Sequence, residues 1–319
     1  MKAIVYTRYG GTEALQLREV EIPVPDSRQV LIKVHAASIN DWDFGLLKGD
    51  FINRILNGLF KPKRKILGSD IAGQIVEVGK DVTRFKTGDD VYGDLSGEWG
   101  GFAEYTVASE KSLALKPFSM SYEEAAAIPQ AGMLAVQGLI DRGELKRGQK
   151  VLVNGAGGGV GSFAIQIAKL YGAEVTGVDS FRKLNMLRET GFDHVIDYKQ
   201  EDFTKNGQLY DLILDVKTNR PIFDYARVLA PNGIYVAVGG SISRLIQVLF
   251  LAPLISKFNK KSYRIVSLKP NKDLIYINEL FEAGKIKPLI EGPYKLNEFM
   301  EAFRMFDRAE HKGKVVISM

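Results

Sequence analysis

The run VLVNGAGGGVGSFAIQIAK, residues 151–169, is where this sequence most plainly offers chemistry. Gly155, Gly157, Gly158, Gly159 and Gly161 crowd a turn between an apolar, β-branched stretch and a segment of helical periodicity. Without Cβ atoms the backbone turns tightly, and a pyrophosphate can approach the N–H groups that open the following helix. Gly161, one turn in, lets that helix lie close to the strand. The spacing from Gly155 is not G-x-G-x-x-G, because position 160 is Val160; Ala156, Gly158 and Gly161 give A-x-G-x-x-G instead. A strand before, an amphipathic helix after and a second strand ending at Asp179 supply the context that makes such a turn a dinucleotide site. The helix itself is legible: Val160, Phe163, Ala164, Ile167, Ala168 and Tyr171 share one face, and Gly172 stops it.

The second strand runs into GVDSFRK, residues 177–183, whose residue types pull in opposite directions. Asp179 is placed to accept a ribose hydroxyl and to repel a 2′-phosphate, which favours NAD. Ser180, Arg182 and Lys183 follow at once, and a hydroxyl with two cations can cradle that phosphate. Cations in the first turn of a helix oppose its dipole, which argues for a use beyond solvation. An Asp179 carboxylate turned toward Arg182 would cancel most of its own repulsion. The balance favours NADPH, with NADH as the alternative.

Composition removes other chemistries. The 319 residues include no cysteine, so disulfides, thiolate catalysis and cysteine zinc sites are excluded. His35, His194 and His311 stand far apart, each alone, and suggest no histidine metal site. Lys plus Arg (43) barely exceeds Asp plus Glu (38), and both signs are interleaved, which speaks against nucleic acid as a partner. No apolar run approaches the ~20 residues of a membrane-spanning helix. The opening MKAIVYTRYGG reads as a strand and not as a signal peptide. These features lead to the expectation of a cytoplasmic protein.

The elements that must position these residues fall into two groups. The first 120 residues are β-rich, with QVLIKVHAASIN, DIAGQIVEVG, FAEYTVAS and SLALKP punctuated by Gly, Pro and Asp. At residue 121 the pattern changes: Ser121, three before Glu124, suggests a capping box, and Pro129 interrupts the helical run that follows. KVLVNG, EVTGVD, HVIDY, YDLILDV and GIYVAVGG are then short apolar runs at helix-length spacing, as in a parallel sheet covered on both faces. The last third mixes a strand at SYRIVSLKP, helices over 271–288 and 297–313, and a closing strand in GKVVISM.

With these segments in hand, the chain resembles the zinc-free quinone oxidoreductase-like branch of the medium-chain dehydrogenase/reductase superfamily. The resemblance rests on VLIKVHAASINDWDFGLLKGD, LGSDIAGQIVEVGKDVTRFKTGDDVYG, GGFAEYTVAS, AAAIPQAGMLAVQGL, the glycine turn, FDHVIDYKQEDF and GKVVI, almost the whole length. It implies an α/β protein: a GroES-like β-barrel domain over 1–120 and 262–319, a Rossmann doubly wound parallel sheet over 121–261, and an active site in the cleft between them. It also implies a homodimer. The positions matching the zinc ligands of the superfamily's alcohol dehydrogenases are Asn40, Ser69 and Gln130, none a plausible zinc ligand there. The resemblance places Tyr198 near the adenosine and Gly239 and Gly240 beside the nicotinamide ribose, whereas DVKTNR (215–220) departs from the usual small residues.

A hydride site without a metal suits conjugated acceptors. Reduction of a simple ketone builds alkoxide charge on one oxygen, which calls for a Lewis acid or a placed proton donor. A quinone or α,β-unsaturated carbonyl spreads that charge, and ordinary hydrogen-bond donors suffice. Asn40 is the expected donor, and Asp43 is expected to orient the loop or the substrate; loop capping is the bland reading of both. Asp70 matches an acidic residue near the family's metal site and is expected to be structural. Two other readings come from other classes. One is a non-catalytic nucleotide- or RNA-binding relative. The other is a membrane-surface reductase, because 51–65 and 245–261 pair apolar residues with trailing cations. Against the latter, the resemblance puts the first run at a substrate-side loop and the second at packing or dimer contacts.

Overall fold

The computed structural model describes the backbone of residues 1–319 and all side chains except those of residues 258 and 259, so that part of the 245–261 segment lies outside the described residues. The chain divides into two compact units, one of residues 1–130, 270–282 and 288–319, the other of 131–269 and 283–287.

The first unit is built on antiparallel pairing. A hairpin of β1 (Lys2–Tyr6) and β2 (Leu15–Glu19) stands beside a seven-stranded sheet. That sheet contains β3 (Gln29–Ser38), β4 (Asp70–Val78), β5 (Asp90–Asp94), β6 (Tyr105–Ser109), β7 (Ala114–Leu115), β14 (Ile290–Lys295) and β15 (Lys314–Ser318). β3 is the organising strand: along one side it pairs with β4, while β6 takes its N-terminal half and β15 its C-terminal half. Residues 105–109 alternate half-buried and buried, as a strand with one covered face should. Val30, Ile32, Ile71, Val91, Phe102 and Ile317 fill the interior with Phe303 from α10 (Phe299–Asp307). This is the expected GroES-like barrel.

Helices α1 (Asp41–Lys48), α2 (Phe51–Asn57), α3 (Tyr122–Ala126) and α9 (Leu274–Glu282) complete it. The capping box read from the sequence starts α3: Ser121 Oγ accepts the Glu124 N–H at 3.1 Å, and the Glu124 carboxylate accepts the Ser121 N–H at 3.0 Å. The helical run breaks after Ala126, as the proline required, and α4 (Pro129–Val136) begins at Pro129, the first helical position that a proline suits.

The second unit is a six-stranded, all-parallel sheet. Its strands are β8 (Lys150–Asn154), β9 (Glu174–Asp179), β10 (His194–Asp197), β11 (Tyr210–Asp215), β12 (Leu229–Ala237) and β13 (Ser262–Ile265). Their order, β10-β9-β8-β11-β12-β13, reverses direction between β8 and β11, the doubly wound Rossmann arrangement. β8 and β11 are buried almost continuously, because α5 (Gly159–Leu170), α6 (Leu184–Glu189), α7 (Ile222–Val228) and α8 (Ile242–Asn259) cover the sheet. In α5, Phe163, Ala164, Ile167 and Ala168 are buried as the periodicity required, and Gly172 follows in the left-handed region (φ 62°). α8 runs through Pro253, and among the described residues no helix is long and apolar enough to cross a membrane.

At the reversal point Asp215 is fully buried. Its Oδ1 accepts from Asn154 Nδ2 (2.7 Å) and its Oδ2 from the Tyr235 hydroxyl (2.7 Å). Burial raises its carboxyl above the usual range. These bonds join the ends of β8, β11 and β12, where the doubly wound fold binds its ligand.

Candidate active site

In the first unit, β3 delivers the chain to Asn40, from which α1 starts. Asp43, in the first turn of α1, is fully buried. Its Oδ2 accepts the Asn40 N–H (2.8 Å) and its Oδ1 the Gly68 N–H (2.9 Å). One carboxylate thus fastens the Asn40 turn to the residue ahead of Ser69 and Asp70. Burial pushes the Asp43 carboxyl up to about 7, against the pull of those two backbone donors. Both carboxylate oxygens thus face backbone N–H groups of the loop, and the side chain is fully buried.

Ser69 Oγ receives two carboxamide donors, Asn40 Nδ2 at 3.1 Å and Gln130 Nε2 at 2.9 Å. From β15, the buried ammonium of Lys314 donates to Asn40 Oδ1 (2.5 Å), Asp70 Oδ2 (3.1 Å) and the carbonyl of Ile39 (3.3 Å). An ammonium can only donate, so it decides which end of the Asn40 carboxamide faces it. Oδ1 points at Lys314 and Nδ2 at Ser69. Asp70 is therefore structural, as expected, but as half of a buried ion pair whose side chains are 4% and 0% exposed.

Asp94 lies opposite Asp70 in the β4–β5 ladder. Its Oδ1 takes the Ser96 N–H (2.8 Å) and hydroxyl (2.5 Å), whereas its buried Oδ2 has no hydrogen-bond partner. Burial and then the Asp70 charge push the Asp94 carboxyl up to about 6. Neither Lys314 nor Asp94 was singled out from the sequence. A lysine opening the otherwise apolar strand KVVIS was the available signal for the first.

The donors around Ser69 do not fit zinc. Two carboxamides and a hydroxyl satisfy one another, and the site already holds a cation in Lys314. Among the described residues, no group of three or more His, Asp or Glu side chains is placed to share a metal.

In the second unit the predicted coenzyme residues gather at the carboxyl ends of the strands. Gly155 adopts φ 84°, and the N–H groups of Gly155 and Ala156 bond the Val178 carbonyl (3.0 and 3.2 Å). A Cβ on Gly161 would stand 2.2 Å from the Ala156 carbonyl oxygen, so the glycine lets the helix lie close against the turn that follows β8. Gly158 caps α5, and a Cβ there would meet no protein atom nearer than 3.8 Å. Packing does not demand that glycine; a group drawing close to the opening N–H groups of Gly159 and Val160 does. The residues present therefore fit a dinucleotide.

GVDSFRK resolves into separate roles. Asp179 accepts the Gly157 N–H through Oδ2 and the Ser180 N–H through Oδ1, both at 2.8 Å, so its carboxylate is built into the glycine turn. Lys183 is buried, and its stem lies against Gly157, where a Cβ would meet it at 2.5 Å. Arg182 is exposed on the short turn Phe181–Lys183. Half-exposed Tyr198 follows β10, its N–H on the Asp179 carbonyl (3.2 Å). At the end of β12, Gly239 has room for a Cβ, nearest atom 3.7 Å, but Gly240 (φ 116°) is held against Thr218. Lys217, in the stretch that departs from the family pattern, is an exposed cation whose Cγ lies 2.8 Å from where a Gly155 Cβ would be.

Two family models match, the alcohol dehydrogenase GroES-like domain over residues 26–118 and the zinc-binding dehydrogenase over 190–317. The chain is 35% identical to the 2-methylene-furan-3-one reductase of Solanum lycopersicum, over 99% of this chain and 79% of that protein. It is also 35% identical to the chloroplastic NADPH-dependent alkenal/one oxidoreductase of Arabidopsis thaliana, with the same coverage. The solved quinone oxidoreductase from Coxiella burnetii superposes with a TM-score of 0.87 at 29% identity, over 100% of this chain and 99% of that one. This chain belongs to the medium-chain dehydrogenase/reductase superfamily, in its quinone oxidoreductase-like branch.

Two outcomes follow from the geometry. Gly158→Ala should cost no more than about 1 kcal/mol of stability yet weaken coenzyme binding. Gly161→Ala should cost about 1–3 kcal/mol, because its Cβ meets backbone. Urea unfolding and coenzyme titration measure both, and equal stability losses would remove the argument for a ligand at Gly158. For Asp94, the folded carboxyl keeps its proton up to about pH 6, whereas the unfolded one loses it near pH 4. Stability therefore falls as pH rises through that window. Asp94→Asn keeps an oxygen for Ser96 and removes the charge, so it should gain on the wild type by about 3 kcal/mol between pH 4 and 7. Parallel stability–pH curves for the two proteins would sink this account.

Proposed function

We propose that this chain transfers hydride from NADPH to a conjugated carbonyl compound, a quinone or an α,β-unsaturated ketone or aldehyde, without zinc. The observation that carries the reading is the Asn40 carboxamide, clamped by Lys314 and Ser69 where zinc-dependent members keep a ligand. The bound nicotinamide supplies the hydride. What the protein must supply is stabilisation of the negative charge that reaches the acceptor's oxygen as an enolate or hydroquinone anion. One hydrogen of Asn40 Nδ2 goes to Ser69 Oγ, and the second is the donor we assign to that oxygen. Asn40 is 8% exposed, so only a small part of the residue is accessible. Lys314 acts through Asn40: a charge-assisted bond to Oδ1 polarises the amide and strengthens its N–H as a donor. Asp43 holds the loop, and solvent provides the proton.

For the coenzyme, the second-unit residues from Gly155 to Gly161 hold the pyrophosphate and Tyr198 packs beside the adenosine. Both Asp179 oxygens accept backbone N–H groups of the turn, which offsets part of the repulsion its charge would offer a 2′-phosphate. Exposed Arg182, with Ser180, takes the 2′-phosphate, and this favours NADPH over NADH. Lys217 adds a cation beside the pyrophosphate turn. A homodimer suits the family habit, and β13, last in its sheet, offers a strand for a second copy to continue.

The test is the initial rate of NADPH and NADH oxidation with a soluble quinone, an enone and a simple ketone. NADPH with a conjugated acceptor should turn over and the ketone should not. Oxidation of neither coenzyme with either conjugated acceptor would overturn the reading. Asn40→Ala should lower kcat by about 10²-fold or more with coenzyme affinity unchanged. Arg182→Ala should raise KM for NADPH and leave that for NADH in place.

A further inference from the structure

Helix α2 is inside out. Its outward face carries Phe51 (72% exposed), Ile52, Ile55 (61%) and Leu56 (58%), which fall within one 140° sector at 100° per residue. Its inward face carries the polar residues. Asn57 is fully buried, its Nδ2 donating to the Tyr6 hydroxyl (2.7 Å) and its Oδ1 accepting the Arg64 N–H (3.1 Å). Arg54 turns back to the Gly49 carbonyl (2.7 Å) and stacks over Tyr9. These polar anchors fix the helix's rotation, so the apolar face is held outward by specific bonds. Beyond the helix, Leu59 and Phe60 (87% exposed) extend the apolar surface.

The charge beside this surface is mostly basic: at the near end stands exposed Asp50, whose Oδ1 is engaged in capping the helix through the Asn53 N–H (2.9 Å). Lys61, Lys63 and Lys65 are exposed immediately after Phe60, and no acidic residue occurs from 51 to 69. Apolar side chains at the depth of acyl chains with lysines at the depth of phosphates are what an anionic lipid surface accommodates. We propose that residues 51–65 form a docking surface for anionic membranes. The protein would lie on the lipid surface through six apolar side chains and three lysines, without spanning it. This inference stands apart from the reductase reading, since it uses none of the residues assigned to hydride transfer or coenzyme binding.

The experiment is co-sedimentation of the full chain with vesicles of phosphatidylcholine alone and with about one-third phosphatidylglycerol, at low and high salt. Two variants accompany the wild type: Lys61→Gln/Lys63→Gln/Lys65→Gln and Phe51→Ser/Ile55→Ser/Phe60→Ser. All six positions are exposed, and a thermal melt confirms that each variant is folded. The wild type should sediment with the anionic vesicles, less so in high salt, and should stay in solution with phosphatidylcholine. Loss of the three lysines should weaken partitioning roughly 100-fold at low salt, and loss of the three apolar residues should abolish it. Three results would each overturn the proposal: no binding to anionic vesicles, binding unaffected by either variant, or self-association in solution that the serine variant abolishes without any vesicle binding.

Discussion

The site in the first unit depends on one buried ion pair, Lys314 with Asp70. Two charges withdrawn from water are tolerable only if each is answered, and here the ammonium is answered by the Asp70 carboxylate, the Asn40 oxygen and a backbone carbonyl. The pair holds three separate stretches of chain in one place: the turn after β3, the start of β4 and the start of β15. It also sets the Asn40 carboxamide, since no other arrangement gives Lys314 an acceptor there. Asp43 does for the backbone what Lys314 does for the side chain, tying the Asn40 turn to Gly68. A fixed organic cation thus organises the polar groups around Asn40.

The second unit meets a different constraint, the need to bring backbone close to backbone and then to leave room. Gly161 serves the first need and Gly158 the second, and only the structure separates them. Asp179 likewise turns out to be part of the turn's own hydrogen bonding, so its meaning for coenzyme choice is set by its partners more than by its residue type. The buried Asp215, bonded to Asn154 and Tyr235, keeps the strand ends in register just where a ligand would press on them.

How much of this was legible in the sequence varies with the range of the interactions. Local patterns carried well: the glycine turn, the buried face of α5, the Ser121–Glu124 box and most strands of the parallel sheet follow from neighbours a few residues apart. Pro129 was legible as the break in the helical run, and only the structure adds that it also opens the helix that follows. β5 and β14 are short and interrupted by glycine or proline, and so gave little signal. Lys314 could not be linked to Asn40, because the two are 274 residues apart and meet only when β15 lands beside β3. For residues 51–65 the pattern showed apolar residues with trailing cations but not which face of the helix was inward, since that depends on Tyr6 and Tyr9 in another strand and loop.

The placement of β15 has a consequence for how the chain is made. Its pairing with the second half of β3 means that the first unit lacks a sheet neighbour, and its central cation, until residues 314–318 have left the ribosome. The parallel sheet, by contrast, is contiguous from 150 to 265 and has all its strands long before then. A nascent chain therefore carries a half-covered β3 and an Asp70 without its cation through most of synthesis. Loss of the last few residues would leave a protein with its nucleotide fold intact and its Asn40 side chain released.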